Sequence, residues 1–291
     1  MPREMPHPVA TDVPGAVPEI KLDNLSVDVT AGRQQRRILA CANLSVSKGD
    51  VVAIIGPSGG GKSTLLKAIL GLVPFTEGAL TFRGTSATRP LDRVHRTLRH
   101  QAEAVFQNPV TALNPHRPLR HTVEEPLAAR GMKAAARRQL AEKTAAQMGL
   151  PSAVLDRRPH AVSVGQAQRA AIARALAPRP QLLFLDEPLS ALDAIIAHDV
   201  ANLLAEITHE VRPTVMMVSH DLKIVRRFAN RVVVVDAGRI VEDASAADFL
   251  AAPASQAGQA LVQSDQRRRA VFAAAAAAAG RSLEPAAELT P

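Results

Sequence analysis

The sequence predicts an α/β fold, with a parallel sheet at its core and an inserted α-helical subdomain. Short, continuous runs of aliphatic and β-branched residues occur at positions 51–55, 182–185 and 215–218, and such runs are typical of buried parallel strands. The first run leads directly into a glycine-rich turn and an apolar helix. Residues from about 87 to 176 contain several helical patterns and few strand patterns, which predicts that a helical subdomain interrupts the α/β core.

The segments around this insertion complete the predicted domain. Residues 20–82 are β-rich, which predicts an antiparallel β subdomain beside the first strand and helix. Residues 231–241 predict a hairpin that turns at Ala237-Gly238. We therefore expect one folded domain over residues 19–250.

Both ends of the chain differ in composition from this domain. Residues 1–18 hold five prolines and lack the apolar centre of a signal peptide, so we expect them to be disordered. Residues 251–291 form an Ala-rich C-terminal extension, in which positions 270–279 predict a low-complexity helix that stops at Gly280. No function can be assigned to this extension from its sequence.

The segment after the first strand matches the phosphate-binding pattern G-x-x-x-x-G-K-[ST]. A strand–loop–helix context aims backbone N–H groups and a helix N-terminus at phosphate oxygens. Lys62 would reach the β- and γ-phosphates, and Ser63 would ligate Mg²⁺. We therefore predict a nucleotide site made of Gly56, Pro57, Ser58, Gly59, Gly60, Gly61, Lys62, Ser63 and Thr64.

Polar residues also end the other two apolar runs. Asp186 is placed to hold Mg²⁺, and Glu187 to orient or activate the attacking water. His220 follows the third run, at the strand end that faces the ligand crevice in an open α/β sheet. A lone histidine is more often a surface or packing residue, but its place between a buried strand and Asp221 favours contact with the γ-phosphate.

Together these segments resemble the ATPase subunit of an ATP-binding cassette (ABC) transporter over residues of about 20–243. That family has further motifs in fixed order, and this chain shows Gln107 (Q-loop), residues 162–166 (signature), 182–187 (Walker B), 190–193 (D-loop) and His220 (H-loop). The resemblance implies a P-loop NTPase (RecA-like) core. It also implies that two such domains close face to face, each ATP lying between one subunit's phosphate loop and the other's signature.

The resemblance also implies residue roles and partners. Gln107 and His220 would sense the γ-phosphate, Mg²⁺ would be held by Ser63, Gln107 and Asp186, and the nucleotide would further contact Ser163, Gly165, Gln166 and Asp193. The stretch from Gln107 to His116 resembles the Q-[DN]-P-x-x-S-L-N-P-R pattern of peptide and nickel importers. Implied partners are a second ATPase subunit, two integral-membrane permeases and, indirectly, an extracytoplasmic solute-binding protein.

Two positions depart from the family. The signature is usually Leu-Ser-Gly-Gly-Gln, and here Val164 replaces the first glycine. A branched Cβ is costly where φ is unusual or a phosphate approaches closely, so we expect slow hydrolysis at the site that uses this signature and a different ATPase subunit as partner. The alternative is that Val164 is tolerated without effect.

The second departure is the absence of an aromatic residue before Phe75, since the family usually stacks adenine on one. Such a stack is worth roughly 1–3 kcal/mol per base. Arg33, Arg36 or Arg37 would stack on the base instead, or these arginines form a solvated hairpin face.

Composition and charge limit the function classes. The formal net charge is +8, but the arginines are dispersed among acids, and the chain has neither Trp nor Tyr as stacking platforms for single strands, so we expect no nucleic-acid partner. The single cysteine excludes a Cys-based metal cluster within this chain. No apolar run reaches the roughly 20 residues that span a bilayer, so we expect a peripheral protein on the cytoplasmic face of the cell membrane.

The leading interpretation is an ATP-hydrolysing subunit that powers solute import of the peptide or nickel class. The alternatives are a soluble ABC-type ATPase in DNA repair or translation, and a nucleotide-binding assembly subunit with little hydrolysis. The chain has one cassette, no heptad stretch and one Cys, which argues against the first alternative.

Overall fold

The computed structural model describes residues 17–31, 34–87, 89, 92–107, 113–190, 192 and 194–278. The strands are β1 (Ile20–Ala31), β2 (Gln34–Val46), β3 (Val51–Ile55), β4 (Glu77–Phe82), β5 (Thr85–Ala87), β6 (Ala102–Val105), β7 (Leu182–Asp186), β8 (Thr214–Val218), β9 (Arg231–Asp236) and β10 (Arg239–Ser245). The helices are α1 (Lys62–Ile69), α2 (Arg93–Gln101), α3 (Leu119–Ala129), α4 (Ala134–Gln147), α5 (Ser152–Leu155), α6 (Val164–Leu176), α7 (Ala194–Val211), α8 (Leu222–Phe228), α9 (Ala246–Ala251) and α10 (Gln256–Ala278). A single 3₁₀ turn, Pro159–Ala161, precedes α6.

Two sheets form the domain, as the α/β prediction requires. The strands β2-β1-β4-β5 make an antiparallel sheet, and β10-β9-β3-β8-β7-β6 make a second sheet that is parallel except for β10 at its edge. Ile20 of β1 pairs with Val46 on one side and Phe82 on the other, so β1 lies between its neighbours. The predicted parallel core and antiparallel subdomain are both confirmed.

The parallel sheet separates two hydrophobic cores because successive side chains of a strand point to opposite faces. In β7, Leu183 and Leu185 pack with the helices α3, α4 and α6, whereas Leu182 and Phe184 pack with α1, α2 and the antiparallel sheet. All five residues of β7 are buried, and the same is true of β8. This explains why these strands are continuous apolar runs rather than alternating ones.

The helical insertion is built from α3 to α6, but one strand lies inside the stretch that the sequence predicts as helical. Ala102–Val105 forms β6, which pairs in parallel with β7 and belongs to the core sheet. Sequence patterns do not indicate this strand, because four residues with two alanines and a glutamate give little β signal. The helices of the insertion, α3 to α6, therefore all follow β6 in the chain and lie between residues 119 and 176.

The last segments form a third hydrophobic core with Ala53 and Ile55 of β3. The predicted hairpin is confirmed: Arg239 pairs with Asp236 across a two-residue turn in which Ala237 and Gly238 both have positive φ. The helix α10 buries Val262 against Phe249 and contains residues 270–278 of the predicted Ala-rich helix, while Gly280 lies outside the described residues. Residues 1–16, predicted to be disordered, also lie outside them. Among the described helices, none is long and apolar enough to cross a membrane.

Candidate functional site

The phosphate loop follows β3, a central strand, and two of its glycines, Gly56 and Gly60, are packed against other backbone. Gly56 has φ +144°, and a Cβ at that position would lie 2.0 Å from the carbonyl oxygen of Val235. A Cβ on Gly60 would lie 2.9 Å from the same oxygen. The N–H of Gly238, in the β9–β10 turn, donates to the carbonyl of Gly60 at 3.0 Å. The loop is therefore held in shape by β9 and its turn, a non-local support that the sequence pattern does not reveal.

Lys62 begins α1 and its ammonium group lies within the loop. It donates to the carbonyl oxygens of Gly56 at 2.9 Å and of Pro57 at 2.8 Å, and the residue is only 8% exposed. Burial lowers the pKa of this ammonium, and the nearby carboxylates of Glu187 and Asp186 oppose the shift. The helix has glycine as its N-cap and no acid in its first turn, so its N-terminal N–H groups keep their affinity for an anion.

Ser63 and Asp186 meet at the edge where β3 and β7 end. The Ser63 hydroxyl lies 2.8 Å from Oδ1 of Asp186, across a sequence separation of 123 residues. Burial raises the pKa of Asp186, and the hydrogen bond from Ser63 opposes that rise. A hydroxyl and a buried carboxylate side by side are hard oxygen donors of the kind that Mg²⁺ prefers, so this pair fits the predicted metal position.

Glu187 lies between two of the other predicted catalytic residues, Gln107 and His220. Nε2 of Gln107 donates to its Oε2 at 3.1 Å, and Nδ1 of His220 lies 3.5 Å from its Oε1. Glu187 itself has φ +49°, a left-handed conformation that is rare for this residue type, and its N–H donates to the carbonyl of Val218 at the end of β8. Three separate chain segments thus bring Gln107, Glu187 and His220 together.

The signature residues form the N-terminus of α6. Ser163 is the N-cap: its hydroxyl accepts from the N–H of Gln166, and the Gln166 side chain accepts from the N–H of Ser163, which completes a capping box. Val164 is the first helical residue and is 54% exposed. In the part of the chain that the structure describes, no hydrogen bond or ion pair joins residues 163–166 to the phosphate loop.

One buried residue links this helix to the catalytic segment. Gln168 is fully buried, and its Nε2 donates to the carbonyl of Pro188 at 2.6 Å, directly after Glu187. A polar residue two positions beyond the signature is the only sequence signal for this contact, and that signal does not identify the partner.

Comparison with known proteins decides the family. The model of the family described as ABC transporter matches residues 39–190. The nickel import ATP-binding protein NikE of Shigella boydii serotype 4 (strain Sb227) is 36% identical over 230 residues, which cover 78% of this chain and 85% of that protein. The probable D,D-dipeptide transport ATP-binding protein DdpF of Escherichia coli (strain K12) is 36% identical over 223 residues, or 76% of this chain and 68% of that protein.

The chain belongs to the ABC transporter family. Solved structures agree: a dimeric ATP-binding cassette in a post-hydrolysis state bound to ADP and Pi superposes with a TM-score of 0.71 and 31% identity, covering 78% of this chain and 98% of that one. The prediction of an ATPase with the ABC fold is confirmed, and the matched relatives give no support to a role in DNA repair or translation.

Within this ABC ATPase, the backbone explains how Val164 is accommodated. It is not among the described residues with positive φ, and it occupies a helical position with its side chain directed to solvent. The expected cost from an unusual φ therefore does not arise. The remaining expected cost is steric, because the family resemblance places this branched side chain against the partner's nucleotide.

The arginines proposed to stack on adenine are placed differently from one another. Arg37 donates to Asp28 at 2.9 Å and to Glu77 at 2.8 Å, across three strands of the antiparallel sheet, and these hydrogen bonds raise its pKa. Arg37 is thus part of a charged sheet surface, whereas Arg36 is exposed and Arg33 lies outside the described residues. Asp193 of the predicted D-loop also lies outside them.

Proposed function

We propose that this chain is the ATPase subunit of an importer for a nickel complex or a peptide-class solute, and that it works at the cytoplasmic face of the membrane. The observation that carries the proposal is Glu187 held between Gln107 and His220, at the sheet edge that also holds Lys62, Ser63 and Asp186. The relatives named for nickel import and dipeptide transport, together with the stretch from Gln107 to His116, support this solute class.

Lys62 is the first residue to act when ATP binds. Its ammonium already occupies the loop and is bonded to two carbonyl oxygens, so the β- and γ-phosphates replace those weak acceptors with stronger, charged ones. The glycines of the loop leave backbone N–H groups close to the phosphates because no side chain separates them. The pKa of Lys62, lowered by burial, returns toward its ordinary value once the phosphates are in place.

Ser63, Asp186 and Gln107 would supply the oxygen donors for Mg²⁺, which would neutralise charge on the transferred phosphoryl group. Glu187 orients the attacking water and accepts its proton, and His220 contacts the γ-phosphate from the end of β8. Phosphoryl transfer is accelerated mainly by positioning and charge. The rate therefore depends more on how precisely these residues are held than on their own reactivity.

The complete machine contains two membrane permeases, a second ATPase subunit and an extracytoplasmic binding protein. Val164 favours a second subunit that differs from this chain, because two copies would place the bulky signature against both nucleotides. The described residues contain no group of three or more His, Cys, Asp or Glu side chains that could hold a metal ion.

Affinity purification of a tagged chain from its native cells tests the proposal. We expect a tagged chain to copurify with two permeases and a second ATPase, and the reconstituted complex to hydrolyse ATP while it takes up nickel or short peptides. Copurification with ribosomes or DNA instead of permeases would contradict it.

A further inference from the structure

A group of charged side chains ties the helical subdomain to the edge strand of the parallel sheet. Arg130, at the end of α3, donates through Nη2 to Oε1 of Glu103 on β6 at 3.1 Å, and through Nη1 to the carbonyl of Pro178 at 2.7 Å. Arg174 of α6 donates to the carbonyl of Ala104 at 3.0 Å. We call Glu103, Arg130 and Arg174 the Glu103 clamp.

Glu103 is enclosed by charge from both helices. Its side chain is 15% exposed and shares a face of β6 with Val105, which packs into the core of the helical subdomain. Burial raises the pKa of Glu103 to about 7, Arg130 and Arg174 oppose that rise, and Glu125 on α3 adds to it. The carboxylate is therefore held where its charge costs free energy, next to arginines that only partly compensate.

The clamp lies between the two functional halves of the chain. Glu103 lies on β6, and the chain continues two residues beyond the end of that strand to Gln107, whose amide donates to Glu187. The helix α6 carries Ser163 and the signature at its start and Arg174 near its end. The bond from Arg174 to the carbonyl of Ala104 therefore connects α6 directly to the strand that leads to Gln107.

We propose that Glu103 is a positioning residue for ATP hydrolysis: its ion pair with Arg130, whose guanidinium also donates to the carbonyl of Pro178 just beyond α6, fixes the orientation of the signature helix relative to the strand that leads to Gln107. This inference rests on the proposed ATPase function. The ion pair forms when the carboxyl is ionised and becomes a weaker, neutral hydrogen bond when it is protonated, so the orientation is set most firmly above neutral pH.

Ionisation of Glu103 is expected to have the opposite effect on stability, since it lowers the free energy of unfolding. A carboxyl whose pKa is raised by folding lowers the free energy of unfolding as pH rises from its ordinary value of 4.5 through about 7. The ionised carboxylate thus lowers the free energy of unfolding at the same pH at which it fixes the orientation of α6 most firmly. A buried ion pair behaves in this way when its desolvation penalty exceeds the attraction between the two charges.

Glu103→Gln tests the proposal, because glutamine keeps the shape and an acceptor but not the charge. In the complete transporter we expect kcat of the variant to be about threefold below wild type near pH 8, with KM for ATP little changed, and equal to wild type near pH 6. The control is Glu206→Gln, which removes an exposed carboxylate of α7 and should follow the wild-type profile.

Thermal unfolding of the full chain gives a second readout that needs no nucleotide. The advantage of Glu103→Gln in melting temperature should grow between about pH 5 and pH 8, while Glu206→Gln shows no such trend. Any of three results would overturn the role of Glu103. These are a pH profile of kcat equal to that of wild type, a loss of kcat that is the same at both pH values, and a difference in melting temperature that is independent of pH. A wild-type complex without ATP turnover would contradict the proposed function first, and the inference with it.

Discussion

The phosphate loop and the signature are both glycine-containing turns that begin a helix, yet the structure constrains them very differently. In the loop, a Cβ on Gly56 would lie 2.0 Å from a backbone oxygen, so glycine is required by this chain's own packing. In the signature, Val164 occupies a helical position and is 54% exposed. The residue type at Gly56 is restricted by the fold of this chain, whereas the residue type at position 164 is restricted only by the molecule that binds to the signature.

This difference explains how the chain carries an atypical signature. Val164 costs nothing in folding because its backbone is helical and its side chain meets solvent. We expect its effect to arise only when a partner's nucleotide approaches. The phosphate loop has no such freedom, since a substitution there is penalised before any nucleotide arrives.

The largest effect should come from Glu187→Gln. The variant keeps the contacts to Gln107 and His220 but removes the group that accepts the proton of water, so we expect ATP binding to persist and turnover at this chain's own phosphate site to fall about 10²- to 10⁴-fold. Nucleotide binding and steady-state hydrolysis measured on the same preparation check this. Turnover at the wild-type rate would refute the assignment of Glu187.

The next largest effect is expected on the free energy of unfolding when a side chain is added inside the phosphate loop. We expect Gly56→Ala to lower the free energy of unfolding by about 3–4 kcal/mol, because the new Cβ meets the Val235 carbonyl and φ is strongly positive. Gly59→Ala is the matched control, since Gly59 also has positive φ but nothing lies within 4 Å of its Cβ position, and it should cost roughly 1 kcal/mol. Similar denaturant midpoints for the two variants would show that packing against β9 does not constrain the loop.

A smaller effect is expected at the signature helix. Ser163→Ala removes the hydroxyl of the capping box and should cost about 1 kcal/mol, a shift of roughly 2–4 °C in the melting temperature. Ser163→Asp retains an N-cap acceptor and is the control for stability. A full loss of fold in Ser163→Ala would mean that the signature is constrained internally after all.

The smallest effect should be that of Arg37→Ala on nucleotide binding. Because Arg37 is paired with Asp28 and Glu77, we expect ATP affinity to change less than about twofold, which is under roughly 0.4 kcal/mol. Titration with a fluorescent ATP analogue checks this, with Arg36→Ala measured in parallel. A tenfold loss in Arg37→Ala would restore the stacking hypothesis for that residue.

Sequence alone predicts the strands of the core and the residues that end them, because buried parallel strands are continuous aliphatic runs and their polar ends meet at one edge. It does not predict β6, whose four residues carry no such run. The support of Gly60 by Gly238 and the contact of Gln168 with Pro188 are also missed, because each joins segments far apart in the chain.

The Glu103 clamp shows the same limit in electrostatic form. A glutamate in the sequence looks like a solvated residue, and only the packing of α3 and α6 over β6 reveals that burial raises its pKa to about 7. Conversely, the sequence overstates the problem at Val164, since the strain argued from an unusual φ disappears once the residue is placed in a helix.

The central claim is that this chain supplies all the residues on the phosphate-loop side of one ATP site. Val164 in its signature hinders only the nucleotide that the partner subunit binds, and it does so sterically. The direct measurement is ATP turnover by the reconstituted transporter in a Glu187→Gln background, where this chain's own site is silent and residual hydrolysis reports the site that uses Val164. We predict that adding Val164→Gly raises this residual turnover severalfold while leaving the melting temperature of the chain unchanged or slightly lower. Unchanged turnover in Glu187→Gln/Val164→Gly would contradict the claim.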